Sequence, residues 1–187
     1  MALETPIAGE KRILASRYAR TLYEQDFTGL DGQTHVFSIW GYTKGAAALI
    51  FPVTTDGNVV AIRQYRHGAH DFMLEMPGGL PSENENPGET AARELLEETG
   101  YQVGTLINLG VRPFPCAPSL DYSFGTFLGL GCQKIQEPAV DPREQVEIIL
   151  IPLKTWFEKI WSGEVLDGQM ISLSMLVLPH LADINFK

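Results

Sequence analysis

Hydrophobic positions along the chain fall into blocks with two different periodicities. A continuous apolar run at 45–53, GAAALIFPV, reads as a buried strand. Residues 59–66 read as the next strand, and Thr55-Asp56-Gly57-Asn58 as the hairpin turn between them. Further on, Ala91, Ala92, Leu95 and Leu96 give one apolar side to a helix. Asn86 is its N-cap, Pro87 its first position, Glu89 the capping-box partner and Gly100 the C′ residue that ends it. Strands follow near 103–111 and 122–130, then a polar loop at 136–145, a strand at 146–151 and two closing helices at 154–162 and 168–180. Upstream, 11–25 and 34–42 read as extended segments joined by a turn at Gly29-Leu30-Asp31-Gly32, and 75–81 reads as a loop by composition. Strands and helices alternate without regular βαβ units, which points to a mixed sheet between helices.

The helix at 87–99 carries an electrostatic cost. Glu94, Glu97 and Glu98 stand at i, i+3 and i+4, on one face. Like charges at these spacings destabilise a bare helix by about 0.2–0.5 kcal/mol per pair. A divalent cation between them removes that cost. Hard cations of this kind take oxygen ligands, usually carboxylates with waters and substrate phosphates. The adjacent glycines Gly78 and Gly79 let backbone come close to a metal or a phosphate.

Gly79, Glu85, Arg93, Glu94, Leu95, Glu97, Glu98 and Gly100 stand at the spacing of the Nudix box, so the chain resembles the Nudix hydrolase family. Tyr101 is the soft departure, where the family prefers an aliphatic residue. Arg63-Gln64-Tyr65-Arg66, the run from Leu74 to Gly79, and EQVEIILIPL from Glu144 resemble the ADP-ribose and nucleoside-diphosphate-sugar pyrophosphatase branch. So do the C-terminal run from Ser162 to Gly168 and, less sharply, Pro115 and Pro118.

The resemblance implies an α/β/α sandwich with a mixed sheet, preceded by N-terminal antiparallel strands. It implies a strand extension over 1–42, which builds a homodimer, and a Nudix domain over 43–187. The implied activity is metal-dependent cleavage of the pyrophosphate of a nucleoside diphosphate joined to another moiety, ADP-ribose or a related nucleotide sugar. Alternatives are a Nudix enzyme acting on triphosphates, dinucleoside polyphosphates or a coenzyme, and a non-catalytic nucleotide sensor. Glu94, Glu97, Glu98 and the Gly78 carbonyl would hold Mg²⁺ or Mn²⁺. Arg93 would orient the glutamates, and Glu85 would brace the loop–helix junction. Glu144 is the expected general base, with Glu137, Asp141 and Glu147 as rivals. Arg66, Glu75 and Arg112 are expected at the substrate, and Asp121 stands where the family often carries an acid. Trp40, Tyr42, Phe72 and Phe114 could stack on a base, although packing in the core is the commoner use of such rings. His67 and His70 read as loop residues, and Met73 and Met76 as packing residues.

Composition narrows the classes. The 187 residues are 44% hydrophobic and 20% charged, an ordinary globular make-up for one domain with a small extension. A net charge of −9 argues against a nucleic-acid partner, which needs a basic footprint. It also means that a polyanionic substrate needs local positive charge, from a cation and from Arg63, Arg66, Arg93 or Arg112. No apolar run approaches a membrane span, and MALETPIAGEKR has no apolar signal core, so a cytoplasmic protein is expected. Cys116 and Cys132 are then expected as reduced thiols.

Overall fold

A computed structural model of the chain describes residues 4–42, 46–111, 113–139 and 145–181. It divides into two compact units, Met1–Gly45 with Phe114–Ser123, and Ala46–Pro113 with Phe124–Lys187.

The first unit is an antiparallel sheet of β1 (Ile7–Arg17), β2 (Arg20–Thr28) and β3 (Thr34–Tyr42), in that order. The extended segment expected over 11–25 is two strands, because the chain reverses at Tyr18 and Ala19. Tyr18 takes φ 55°, and neither turn residue is Gly, Asn or Asp, so the sequence carries no turn signal there. The second reversal falls where expected, with Gly32 at φ 74° donating to the Gly29 carbonyl at 3.0 Å. Residues 119–121 run parallel to β3. Trp40 N–H donates to Ser119 O and Asp121 N–H to Trp40 O, both at 2.9 Å. Asp121 also accepts from Tyr23 Oη and from Lys11 Nζ. Every residue of β1 is exposed.

The second unit is built on a mixed sheet of order β11-β5-β4-β10-β8. These strands are β4 (Ala48–Thr54), β5 (Asn58–Arg66), β8 (Tyr101–Gln102), β10 (Gly125–Lys134) and β11 (Val146–Pro152). Three shorter strands join it: β6 (Asp71–Glu75) on β5, β7 (Gly78–Gly79) on β4, and β9 (Thr105–Asn108) on β10. The central β4 is buried at every position and pairs parallel with β10. A strand buried on both faces reads as an unbroken apolar run, which is why 45–53 was legible.

Alternation along β4 sorts the helices into two layers. Ala48 and Ile50 pack with Ala91 and Leu95 of α1 (Pro87–Thr99). Leu49, Phe51 and Val53 share a cluster with Trp156 and Phe157 of α2 (Leu153–Ser162) and Leu173 and Val177 of α3 (Gly168–Leu181). Trp156 Nε1 donates to Ser174 Oγ at 2.9 Å, satisfying both buried groups between α2 and α3. The expected α/β/α sandwich is therefore present.

Three strand expectations are corrected. The strand expected over 103–111 is only β9, starting after Gly104, whose N–H donates to Leu130 O at 3.2 Å, and the short β8 precedes it. The strand expected at 122–130 starts at Gly125, because 114–123 belongs to the first unit. The loop read at 75–81 contains the end of β6 and the two residues of β7, pairings that depend on partner strands and leave no local pattern.

Candidate active site

The helix α1 is fixed at both ends by its own sequence. Asn86 Oδ1 accepts from the N–H groups of Gly88 (2.9 Å) and Glu89 (3.1 Å), and Glu89 Oε2 accepts from Asn86 N–H at 2.9 Å. That is a complete capping box, with Pro87 at the first helical position. Gly100 closes the other end at φ 75°, donating to Leu96 O at 2.9 Å.

Arg93 ties the helix to the loop before it. Its Nε donates to Glu85 Oε1 at 2.7 Å and its Nη2 to Glu85 Oε2 at 3.1 Å, the two-point geometry that suits guanidinium and carboxylate. Nη2 also reaches the Leu80 carbonyl at 3.0 Å. Glu85 accepts further bonds from Ser82 N–H at 2.9 Å and Thr90 Oγ1 at 3.0 Å. With Arg93 the largest cause, these bonds hold the Glu85 carboxyl down at about 2. The remaining nitrogen, Nη1, lies 2.9 Å from both Glu94 Oε1 and Glu97 Oε2. A single guanidinium thus faces three carboxylates.

Two of the acids meet the glycine pair. Glu98 Oε2 accepts from Gly78 N–H at 3.1 Å. Glu94 lies against Gly79, where a Cβ would overlap its carboxylate; a glycine is the residue that leaves room there. Gly78 and Gly79 are held in turn by pairing with Leu49 and Ala48 of β4. Burial pushes the Glu94 carboxyl up and Arg93 opposes that shift. Glu97 is the most exposed of the three, with 48% of its side chain accessible, and is turned to Arg93. Among the described residues no three His, Cys, Asp or Glu side chains converge as a finished metal site. The donor set nonetheless suits a hard cation, since Glu94 and Glu98 offer oxygen alone and stand one helical turn apart beside close-approaching backbone.

Across the same unit, Arg66 is held by two buried partners from β5 and β6. Its Nε donates to Glu75 Oε1 at 2.8 Å and Oε2 at 2.9 Å, and Nη2 also donates to Glu75 Oε2. Gln64, in the amide orientation that satisfies both partners, accepts from Nη1 at 3.3 Å and Nη2 at 2.6 Å. Gln64 and Glu75 are buried. The sequence reading did not single out Gln64; its signal was a polar residue at an inward position of an otherwise apolar strand.

The other expected residues are scattered or beyond description. Glu144, Asp141 and Arg112 lie outside the described residues. Glu147 pairs with Arg63 at 2.8 Å, and Glu137 with Lys134 at 2.9 Å. Trp40, Phe72 and Phe114 are exposed, not packed in the core as such rings usually are. In the first unit a cavity of about 220 Å³ is lined by Arg20, Trp40, Tyr42, Leu120 and Tyr122. The Tyr42 and Tyr122 rings there lie 4.2 Å apart, and the Arg20 guanidinium lies 5.9 Å from the Tyr42 ring. Met76 is buried, and both cysteines are free thiols, Cys116 exposed and Cys132 buried.

The family model of the NUDIX domain matches residues 43–166, from ahead of the first buried strand to beyond α2. The chain belongs to the Nudix hydrolase family. It is 30% identical over 125 residues to an ADP-ribose pyrophosphatase of Bacillus subtilis, a match spanning 66% of each chain. It is 28% identical over 170 residues to a GDP-mannose pyrophosphatase of Salmonella typhimurium, spanning 84% of this chain and 87% of that one. The Nudix fold itself is matched by the crystal structure of an ADP compounds hydrolase, with a TM-score of 0.83 at 21% identity, over 97% of this chain and 96% of the other. None of the described helices is long and apolar enough to cross a membrane.

Proposed function

We propose that this Nudix hydrolase cleaves the pyrophosphate bond of a nucleoside diphosphate joined to a sugar, with ADP-ribose, giving AMP and ribose 5-phosphate, as the leading substrate. The observation that carries this reading is the pairing of Glu94 and Glu98 on one face of α1 with the Gly78–Gly79 backbone. Similarity to an ADP-ribose pyrophosphatase and to GDP-mannose pyrophosphatases supports the nucleotide-sugar class.

Glu94 and Glu98, with Glu97 and the Gly78 carbonyl, would hold Mg²⁺ or Mn²⁺. When bound, such an ion neutralises phosphate oxygens and acidifies water into a nucleophile at neutral pH. The chain's own residues do the placing. Arg93 fixes the loop–helix angle through Glu85 and Leu80 O, and shields Glu94 from Glu97. Glu144 is the proposed base that takes the water proton. Arg66, with Glu75, and Arg112 are proposed at the substrate.

A product-resolved screen tests this reading. The purified protein is incubated with Mg²⁺ or Mn²⁺ and ADP-ribose, GDP-mannose, other nucleotide sugars, dinucleoside polyphosphates or nucleoside triphosphates. Preferential release of a nucleoside monophosphate and a sugar phosphate is the expected result. Preference for a triphosphate would overturn the substrate class, and binding without turnover of any compound would leave a sensor.

The strand extension is proposed as the dimer contact. Ile13 and Phe37 are exposed on it and stand on one face of the sheet, opposite Tyr23 and Gln25 of β2, and apolar surface shared by one face of this kind marks interfaces. Light scattering should give twice the chain mass, falling to one chain mass in Ile13→Glu/Phe37→Glu. A monomeric wild type would dispose of the idea.

A further inference from the structure

In the loop before α1, successive residues send their backbone polar groups to different elements of the second unit. Met76 and Pro77 fall between two strand pairings, the last of β6, Glu75 with Ile62, and the first of β7, Gly78 with Leu49. Their groups therefore need partners outside those ladders. Pro77 O accepts from Ile50 N–H of β4 at 3.1 Å. Gly78 N–H donates to Glu98 Oε2 of α1 at 3.1 Å. Met76 N–H donates to the thioether sulfur of Met170 in α3, at 2.9 Å.

The sulfur bond is the unusual one. Met76 and Met170 are 2% and 3% exposed, so the bond is shielded from water. A buried N–H left without an acceptor is costly. A thioether is a weak acceptor, and methionine in a core ordinarily serves as adaptable packing, a task that leucine performs at nearly the same volume. Here the sulfur has a polar task that leucine cannot take over. Its position is set separately: Asp167 Oδ1 accepts from the N–H groups of Gln169 (2.8 Å) and Met170 (3.2 Å), which caps the start of α3. Between the sulfur and Gly78 the chain is stiff, because the Pro77 ring locks its own φ. Gly78 has no slack of its own either, since a Cβ there would overlap Ala48 O and the Leu49 side chain.

We propose that Met170 is a positioning residue of the active site: its sulfur holds Met76 N–H and, through Met76 and Pro77, sets where the Gly78 backbone stands beside Glu98. The metal part of this inference rests on the function proposed above, in which Glu98 and the Gly78 carbonyl take Mg²⁺ or Mn²⁺. Met170 itself touches neither ion nor substrate. A helix far along the chain thus takes part in placing the loop that the box helix faces.

The test separates positioning from packing. Met170→Leu removes the acceptor and keeps the apolar volume; Met170→Gln returns an acceptor in its amide oxygen at similar length. Val177→Ala, a buried change in the same helix and the same core cluster, controls for general softening. Each variant is measured by hydrogen exchange at the Met76 amide, by the NMR shift of the Gly78 amide, by Mn²⁺ calorimetry without substrate and by steady-state kinetics. Met170→Leu should speed Met76 exchange, move the Gly78 shift and weaken Mn²⁺ about tenfold, the lower end for residues that orient a metal's ligands. Its kcat should fall while KM for ADP-ribose stays near wild type. Met170→Gln should restore most of each. Val177→Ala should lower the melting temperature and leave Mn²⁺ affinity unchanged. Met170→Ile provides the acceptor-free variant should leucine fail to fold. Unchanged Met76 exchange and Gly78 shift in the acceptor-free variant would overturn the inference. So would an equal loss of Mn²⁺ affinity in Val177→Ala, which would make Met170 a packing residue. Wild type that neither binds Mn²⁺ nor cleaves a nucleotide sugar would defeat the proposed function, while Met76 exchange and the Gly78 shift still decide what Met170 holds in place.

Discussion

The box helix and the N-terminal sheet solve opposite problems. Along α1 and its loop, polar side chains find partners within about a dozen residues: Asn86 and Glu89 on each other's backbone, Glu85 on Arg93, Arg93 on Leu80 O. On its apolar side Ala91 and Leu95 are fully buried. In the sheet of β1–β3 the apolar residues Ile7, Ile13, Val36 and Phe37 remain on the surface, and β1 is exposed throughout. The first region is organised by its own sequence to hold charges in fixed places. The second pairs its backbone internally and leaves side chains over for something else. The proposed chemistry is placed on the self-sufficient region, where a carboxylate displaced by an ångström costs rate.

The largest effect expected from this contrast is in turnover. Glu98→Gln removes one of the two acids beside the glycine pair, and should cost more than the ~10–100-fold typical of an outer-shell partner of a metal site. Fold and melting temperature should stay near wild type, since the helix keeps its caps. Steady-state kinetics with retained near-wild-type rate would take Glu98 out of the site.

Next comes stability. Leu95 is 0% exposed, so Leu95→Ala should cost about 2–5 kcal/mol in urea unfolding. Ile13 is 70% exposed, and Ile13→Ala should stay within about 0.5 kcal/mol at a fixed state of association. Equal costs at the two positions would erase the distinction between the regions.

A smaller effect should appear on the acid side. Glu85 is held at about 2, below the ordinary value of 4.5. Its native form is therefore the charged one, and the unfolded chain binds the extra proton first. The stabilisation is complete above about pH 4.5 and is lost as pH falls from there toward 2. Melting temperature followed across that range should fall more steeply in wild type than in Glu85→Gln. Superimposable slopes would show that the Arg93 pair adds nothing to folding.

The same contrast explains what could be read in advance. The caps of α1, the acids at i, i+3 and i+4, and the buried run of β4 are local patterns, each set by residues a few positions apart. The reversal at Tyr18-Ala19, the shortening of 103–111 to β9, and the pairing of Gly78–Gly79 with β4 have no local signature. They are decided by which strand arrives alongside. At the site, the two-point pairing of Glu85 with Arg93 follows from the spacing of the box. The grip of Gln64 on Arg66 comes from strand alternation, which places both on one face of β5, and only burial shows that it matters.

The parallel pairing of β4 with β10 also sets an order of events as the chain folds. Ala48 meets Gly125, and the whole box lies in the connection between them. Joining ends that far apart costs loop entropy before any contact offsets it, and such non-local pairings form slowly. The capped helix is a local structure, able to form while the chain is still open. The Gly78–Gly79 backbone takes its place only along β4, the strand that β10 must also join. Catalytic competence should therefore lag behind helix content in a refolding experiment, with the slow step being closure of the sheet around a helix already made.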